Sequence, residues 1–244
     1  MEHWEALCAG GYRFVYDDAL FRPGTDTFLL SSLPRLKAGL RVCDLGCGTG
    51  LLGLLLMQRQ TGLAVTGVEI QPEAAALARR CAAENGLEEQ LQFLQADLRT
   101  VREHFPTGSF DLVVSNPPYY PPQSGRMTAD DAIRSARSEI SCTLEDICGA
   151  AAYLLRWGGS FCLVHKPERL TDVLDAMRRC GCEPKRLRMV CARPENAPSL
   201  LLVEGRRGGK PGLSIEPPLI LQTSDGKPTA EVDAIYFRQQ EDTP

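Results

Sequence analysis

The chain has 244 residues, 43% of them hydrophobic and 24% charged, with a net charge of −4, as expected of one large globular domain or of one domain with a small extension. Its longest leucine-rich run, Leu51–Met57, falls well short of the roughly 20 residues that span a bilayer. The opening MEHWEALCAG is acidic and lacks the apolar core of a signal peptide, so a cytoplasmic location with no membrane partner is expected.

In chain order, residues 1–40 precede the main pattern. Tyr12, Phe14 and Tyr16 alternate with polar neighbours like a short strand, and Thr25-Asp26 is expected to cap an apolar helix, Thr27–Leu33. From residue 41, short apolar runs alternate with helical patterns. Strands are expected at Arg41–Leu45, Ala64–Ile70, Leu91–Gln95 and Phe110–Ser115, with helices at Leu51–Gln60 and Pro72–Asn85 and a short one before Phe110. A helix at Thr143–Trp157 is expected to stop at Gly158-Gly159, followed by strand Ser160–His165 and helix Pro167–Arg179. Strands Arg186–Cys191 and Ser199–Glu204 are joined by residues too few for a helical crossover, so they should pair antiparallel.

This alternation, with strands apolar along most of their length, implies a sheet covered by helices on both faces. The expected fold class is α/β: a doubly wound, mostly parallel, seven-stranded, Rossmann-like sheet ending in an antiparallel hairpin. Residues 41–212 would form this domain, with 1–40 as an N-terminal extension capping its ligand site. Residues 213–244 would be a C-terminal tail packed on it, carrying a short strand at Leu219–Gln222 and a short helix at Ala230–Arg238.

Ten cysteines and three histidines contain no C-x-x-C pair, so reduced thiols and no metal site are expected. The charge is uneven: residues 121–212 hold 15 Lys and Arg against 11 Asp and Glu, and the remainder is acidic. A basic face is therefore allowed on an acidic protein.

The stretch VCDLGCGTG sets Asp44, Gly46, Gly48 and Gly50 where the first strand meets a helix. Glycines let the backbone turn sharply there and let a ligand approach at the carboxyl end of the sheet. The spacing is G-x-G-x-G, with Leu51 where a dinucleotide fingerprint has its last glycine, and the Asp44 carboxylate suits a cationic ligand better than a pyrophosphate. Two further acids end strands: Glu69, placed for two ribose hydroxyls, and Asp97, placed to accept from an adenine amino group. An adenosine carrying positive charge and no phosphate is S-adenosylmethionine.

The fourth strand runs straight into SNPPYYPP. Two prolines make a rigid extended exit that holds Asn116 and Tyr119 in place. An aromatic amine is a poor nucleophile because its lone pair is delocalised. The Asn116 side-chain oxygen and the Pro117 carbonyl are two acceptors that would draw such a nitrogen toward tetrahedral geometry, with Asn116 also bordering the cofactor. Tyr119 would stack on the base, a contact worth ~1–3 kcal/mol.

Together DLGCGTG, VE, AD and SNPPY resemble the class I S-adenosylmethionine-dependent methyltransferases that modify amino groups. The flanks FRPGTDTFLL, ARSEISCTLEDI and KRLRMVCARP resemble bacterial adenine-N6 methyltransferases acting on valine tRNA. That resemblance implies an S-adenosylmethionine cofactor and an RNA substrate, tRNA foremost, and by analogy Thr25 and Asp26 close over the cofactor pocket. Arg126, Arg134, Arg137, Lys166 and Arg169 are expected to hold phosphates around a presented base. Three alternatives stay open here. One is a release-factor glutamine methyltransferase, although about 40 residues before the sheet are few for its helical N-terminal domain. Another is an rRNA guanine-N2 methyltransferase, commonly with Phe in place of Tyr119. The third is a non-catalytic RNA-binding assembly factor with a vestigial pocket.

Overall fold

The computed structural model describes residues 1–18, 24–119 and 142–238. Its main sheet is built from β3 (Arg41–Leu45), β4 (Ala64–Glu69), β5 (Leu91–Gln95), β6 (Phe110–Ser115), β7 (Leu155–His165), β8 (Cys182–Cys191), β9 (Pro198–Arg207) and β10 (Ser214–Ile220). The strand order is β10-β8-β9-β7-β6-β3-β4-β5. Five of the seven strand pairings are parallel, and the other two are antiparallel because β9 runs against both β7 and β8. All seven strands expected in the domain are present, and β10, whose end overlaps the tail strand expected at Leu219–Gln222, adds an eighth, paired parallel to β8.

Alternation along the strands explains why both faces are covered. Val42, Leu112, Val114, Cys162, Val164 and Leu202 point into one core, with α1 (Thr25–Ser31), α2 (Leu51–Arg59) and α3 (Pro72–Glu84). Their neighbours Cys43, Val113, Phe161, Leu163 and Val203 point into the other, against α4 (Val101–His104), α5 (Leu144–Leu154) and α6 (Leu170–Arg179). A period of two on strands buried on both sides requires two apolar layers. A final helix, α7 (Ala230–Ile235), sends Val232 and Ile235 into the first core.

Two local expectations change, and the short aromatic strand is borne out. Helix α1 begins at Thr25, inside the expected cap, with Gly24 as its N-cap and so no side chain there to cap it. Helix α5 stops at Leu154, and β7 already begins at Leu155 opposite Phe110. The Arg156 guanidinium reaches Asp111 at 2.5 Å, which favours the sheet, and the Gly158-Gly159 pair lies in the register shift rather than at a helix end. The aromatic segment near residue 14 is β2 (Arg13–Asp17), and it pairs antiparallel with β1 (Glu2–Ala6) in a separate two-stranded sheet.

Neighbouring β3 and β6 lead to opposite sides of the sheet, β3 toward β4 and β6 toward β7. This is the topological switch point, and both loops leave it at the carboxyl edge. The Ser115 hydroxyl donates to the Leu45 carbonyl at 2.8 Å and ties the two loop entrances together.

Candidate active site

The glycine loop after β3 turns back on itself through Gly46 (φ 73°), Gly48 (φ 54°) and Gly50 (φ 83°). At Gly46 and Gly48 a Cβ would stand in open space, so their side-chain-free faces line a hollow rather than a packed wall. The Gly46 and Cys47 amides donate to the Val68 carbonyl at 2.9 and 3.2 Å, fixing the loop to β4. Glu69, 6% exposed, accepts from the Gly48 amide at 2.8 Å and the Gln71 amide at 2.9 Å. Burial raises its pKa above the ordinary carboxylate range, and the backbone donors oppose that rise.

Asp44 lies beneath the same loop, 2% exposed. Its Oδ2 is the one buried side-chain oxygen or nitrogen without a hydrogen-bond partner among the described residues. Burial, and secondarily the charge of Glu69, push its pKa up to about 8. An unsatisfied buried carboxylate is costly and calls for a donor. The sulfonium and ammonium of S-adenosylmethionine supply positive charge and N–H donors of that kind, so the hollow and the orphaned oxygen fit this cofactor. Asp97 is placed after β5 but already has a partner: it accepts from the Arg99 amide at 2.9 Å and from its guanidinium at 2.5 Å. That hydrogen bonding holds its pKa below the usual range.

On the other side of the switch point, Pro117 is buried and Asn116 half-buried. The Asn116 Nδ2 donates to Thr27 Oγ1 at 2.9 Å. Tyr119, 5% exposed, donates its hydroxyl proton to Asp26 Oδ2, and its oxygen lies 3.3 Å from Asn116 Oδ1. The His165 ring packs against Tyr119 at 5.4 Å, and Lys166 Nζ stands 5.0 Å from the Tyr119 centroid. His165 accepts from the Lys166 amide at 2.8 Å, and burial pulls its pKa down to about 4, so it is neutral near pH 7.

The structure therefore brings together Asp44, Gly46, Gly48, Gly50 and Glu69 on one side, and Asp26, Asn116, Tyr119 and Lys166 on the other. Thr25 is exposed at the start of α1. Arg169 is committed to Asp172 at 2.5 Å. Arg126, Arg134 and Arg137 lie outside the described residues. Thr27 and His165 were missed: one reads as an apolar-helix residue and the other as a strand end. Only the TDT spacing ahead of the glycine loop gave any signal for Thr27.

The methyltransferase small-domain family model matches residues 15–177, a span that contains both loops. The chain belongs to this family. A tRNA1(Val) (adenine(37)-N6)-methyltransferase of Dickeya chrysanthemi strain Ech1591 is 32% identical over 216 residues, covering 86% of this chain and 84% of that protein. The enzyme of the same name from Yersinia enterocolitica serotype O:8 is 34% identical over 164 residues, which is 65% of this chain and less than two thirds, 64%, of the relative. Among solved structures, a predicted O-methyltransferase from Agrobacterium tumefaciens superposes with a TM-score of 0.72 over 88% of this chain and 96% of its own, at 24% identity. The last likeness is one of fold. The cofactor of this methyltransferase is S-adenosylmethionine.

Among the described residues, no group of His, Cys, Asp and Glu is arranged to hold a metal ion. No helix among them is long and apolar enough to cross a membrane.

Replacing Glu69 by Gln, which keeps an acceptor while removing the charge, should weaken S-adenosylhomocysteine binding by about 1.5–3 kcal/mol, the range for hydrogen bonds to a charged group. Glu69→Ala is the less clean variant, since it also strands the Gly48 and Gln71 amides. Unchanged affinity by calorimetry in the Gln variant would remove Glu69 from the cofactor site.

Proposed function

We propose that this methyltransferase modifies the exocyclic N6 amine of an adenine in tRNA, in the cytoplasm. The observation that carries the reading is Asn116 and Pro117 at the switch point, just past Val114, the β6 residue that pairs with the orphaned, buried Asp44. The names of the 32% and 34% identical relatives support the choice of substrate.

In this reading Asp44, Gly46, Gly48, Gly50, Glu69 and Asp97 hold the cofactor, with Thr25 and Asp26 closing over it and Asn116 bordering it. When bound, S-adenosylmethionine supplies an electrophilic methyl group. The chain's own work is positioning. The Asn116 side-chain oxygen and the Pro117 carbonyl accept from the two hydrogens of the amine and expose its lone pair. Tyr119 offers its ring to the base, which must leave any duplex stack to reach the pocket. Residues 1–40 cap the site, 41–212 form the catalytic domain and those from 213 onward pack on it.

Arg126, Arg134, Arg137, Lys166 and Arg169 are the proposed phosphate contacts. On an acidic protein they are few, and Arg169 already has a carboxylate partner. The log of RNA affinity should therefore fall with log salt at a slope of about −2 to −4, at about 0.7–0.9 per neutralised phosphate. A flat salt dependence in filter binding would show that this face does not contact RNA.

The reading is tested by offering the pure protein labelled donor with total tRNA, rRNA or a release factor. Label in tRNA is expected. Label confined to the release factor or to rRNA would replace the proposed substrate.

A further inference from the structure

A carboxamide is nearly symmetrical in outline, yet only its oxygen end can accept from a substrate amine. Whichever group fixes that end fixes the chemistry of Asn116. The Asn116 Nδ2 is held by Thr27 Oγ1 at 2.9 Å, and Thr27 is 5% exposed on the first turn of α1. A β-branched side chain in a helix has few rotamers, so its hydroxyl is a stiff anchor.

The other end of the carboxamide faces Tyr119. The phenol has one proton, and among the described residues its hydroxyl meets Asp26 Oδ2 and, at 3.3 Å, Asn116 Oδ1. The closer carboxylate takes the proton, because a charged acceptor makes the stronger bond. Asp26 Oδ1 meanwhile accepts from the Thr27 amide at 3.0 Å, which locks the carboxylate in place.

We infer that Thr27 is a positioning residue that sets the Asn116 carboxamide with its oxygen toward the methyl acceptor, while Asp26 keeps the Tyr119 proton off that oxygen. This rests on the functional reading above and deepens it. Two adjacent residues of α1 thus orient the two polar side chains of the NPPY loop, a role separate from the closing of the cofactor pocket expected for Asp26.

The test uses the full chain with Thr27→Val, close in shape but without a hydroxyl, and Thr27→Ser, which keeps one. Turnover and KM with total tRNA, S-adenosylhomocysteine affinity, and the Asn116 side-chain NH2 signal in a ¹⁵N-edited spectrum are measured. That signal is assigned by its loss in Asn116→Asp. Thr27→Val should lower kcat by about tenfold or more, the effect of losing about one hydrogen bond's worth of orientation. KM and cofactor affinity should stay within about twofold, and the Asn116 signal should move. Thr27→Ser should restore most of kcat and return the signal toward the parental position. Parental turnover in Thr27→Val, or a serine variant as slow as the valine one, overturns the assignment. If the parent protein methylates no adenine, the functional reading falls instead. The assignment of Thr27 then rests on the NMR signal alone, and a signal unmoved in Thr27→Val overturns it.

Discussion

Asn116→Ala should lower methyl transfer to tRNA by about 10²–10³-fold, the cost of removing one preorganised polar partner of a reacting centre. The same variant should leave S-adenosylhomocysteine affinity within about twofold, since no hydrogen bond of the glycine loop passes through Asn116. Among the described residues its side chain meets Thr27 and Tyr119, both on the acceptor side. Asn116→Asp should retain part of the activity, because a carboxylate also accepts from an amine. Single-turnover rates and calorimetry on the two variants separate these effects. Parental turnover in Asn116→Ala would remove the NPPY loop from the chemistry.

The second large effect belongs to Asp44. Its pKa, about 8 in the folded protein without ligand, exceeds the ordinary carboxylate value. Between those two values the folded protein holds one proton more than the unfolded chain. The stability that this provides is fully present below the unfolded pKa of about 3.9 and is lost as pH rises to the folded value, by up to about 1.4 kcal/mol per pH unit. The melting temperature of the ligand-free protein should therefore fall as pH rises through that window, and Asp44→Asn should flatten the fall. A cationic ligand favours the ionised carboxylate, so binding near pH 7 should release about one proton. Binding enthalpies of S-adenosylmethionine that differ between phosphate and Tris buffers would show that proton. Asp44→Asn should abolish the difference and weaken binding by about 1.5–3 kcal/mol. Equal enthalpies in both buffers with the parental protein would mean that Asp44 does not answer to the ligand's charge.

Much of the sheet was legible because its central strands, buried on both faces, carry apolar runs such as Leu112–Val114, Phe161–Val164 and Leu200–Val203, whereas β5 (LQFLQ) and β8 (CEPKRLRMVC) alternate apolar with polar residues. Strand β10 was harder: Pro217 and Pro218 read as loop. An edge strand tolerates prolines where its outward N–H groups meet no partner, and the register shifts between Glu216 and Leu219 around them. Strand β1, which the sequence pattern did not suggest, carries Glu2 and Glu5, and its place is set by tertiary contacts. Glu2 meets the Arg80 guanidinium at 2.9 Å, and Arg13 lies 5.5 Å from the Trp4 ring centroid.

The candidate site was legible to the extent that backbone chemistry shows in residue type. Glycines at positive φ and paired prolines announce loops that face something, and acids at strand tips announce what they face. The pairing of Asp26 with Tyr119 and of Thr27 with Asn116 was not visible. It depends on α1 lying across the end of β6, a contact between residues 89 and 93 apart in sequence. Nor did the sequence show that Arg169 is already paired or that Lys166 stands over the Tyr119 ring.

The reading of this site stands or falls on which atom is methylated. The direct measurement is transfer from labelled S-adenosylmethionine to total tRNA by the parental protein, digestion to nucleosides, and chromatography against standards. The account predicts label that co-elutes with N6-methyladenosine and is lost with Asn116→Ala. Label in a methylated guanosine, in a ring-nitrogen methyladenosine, or in no nucleoside at all would contradict it.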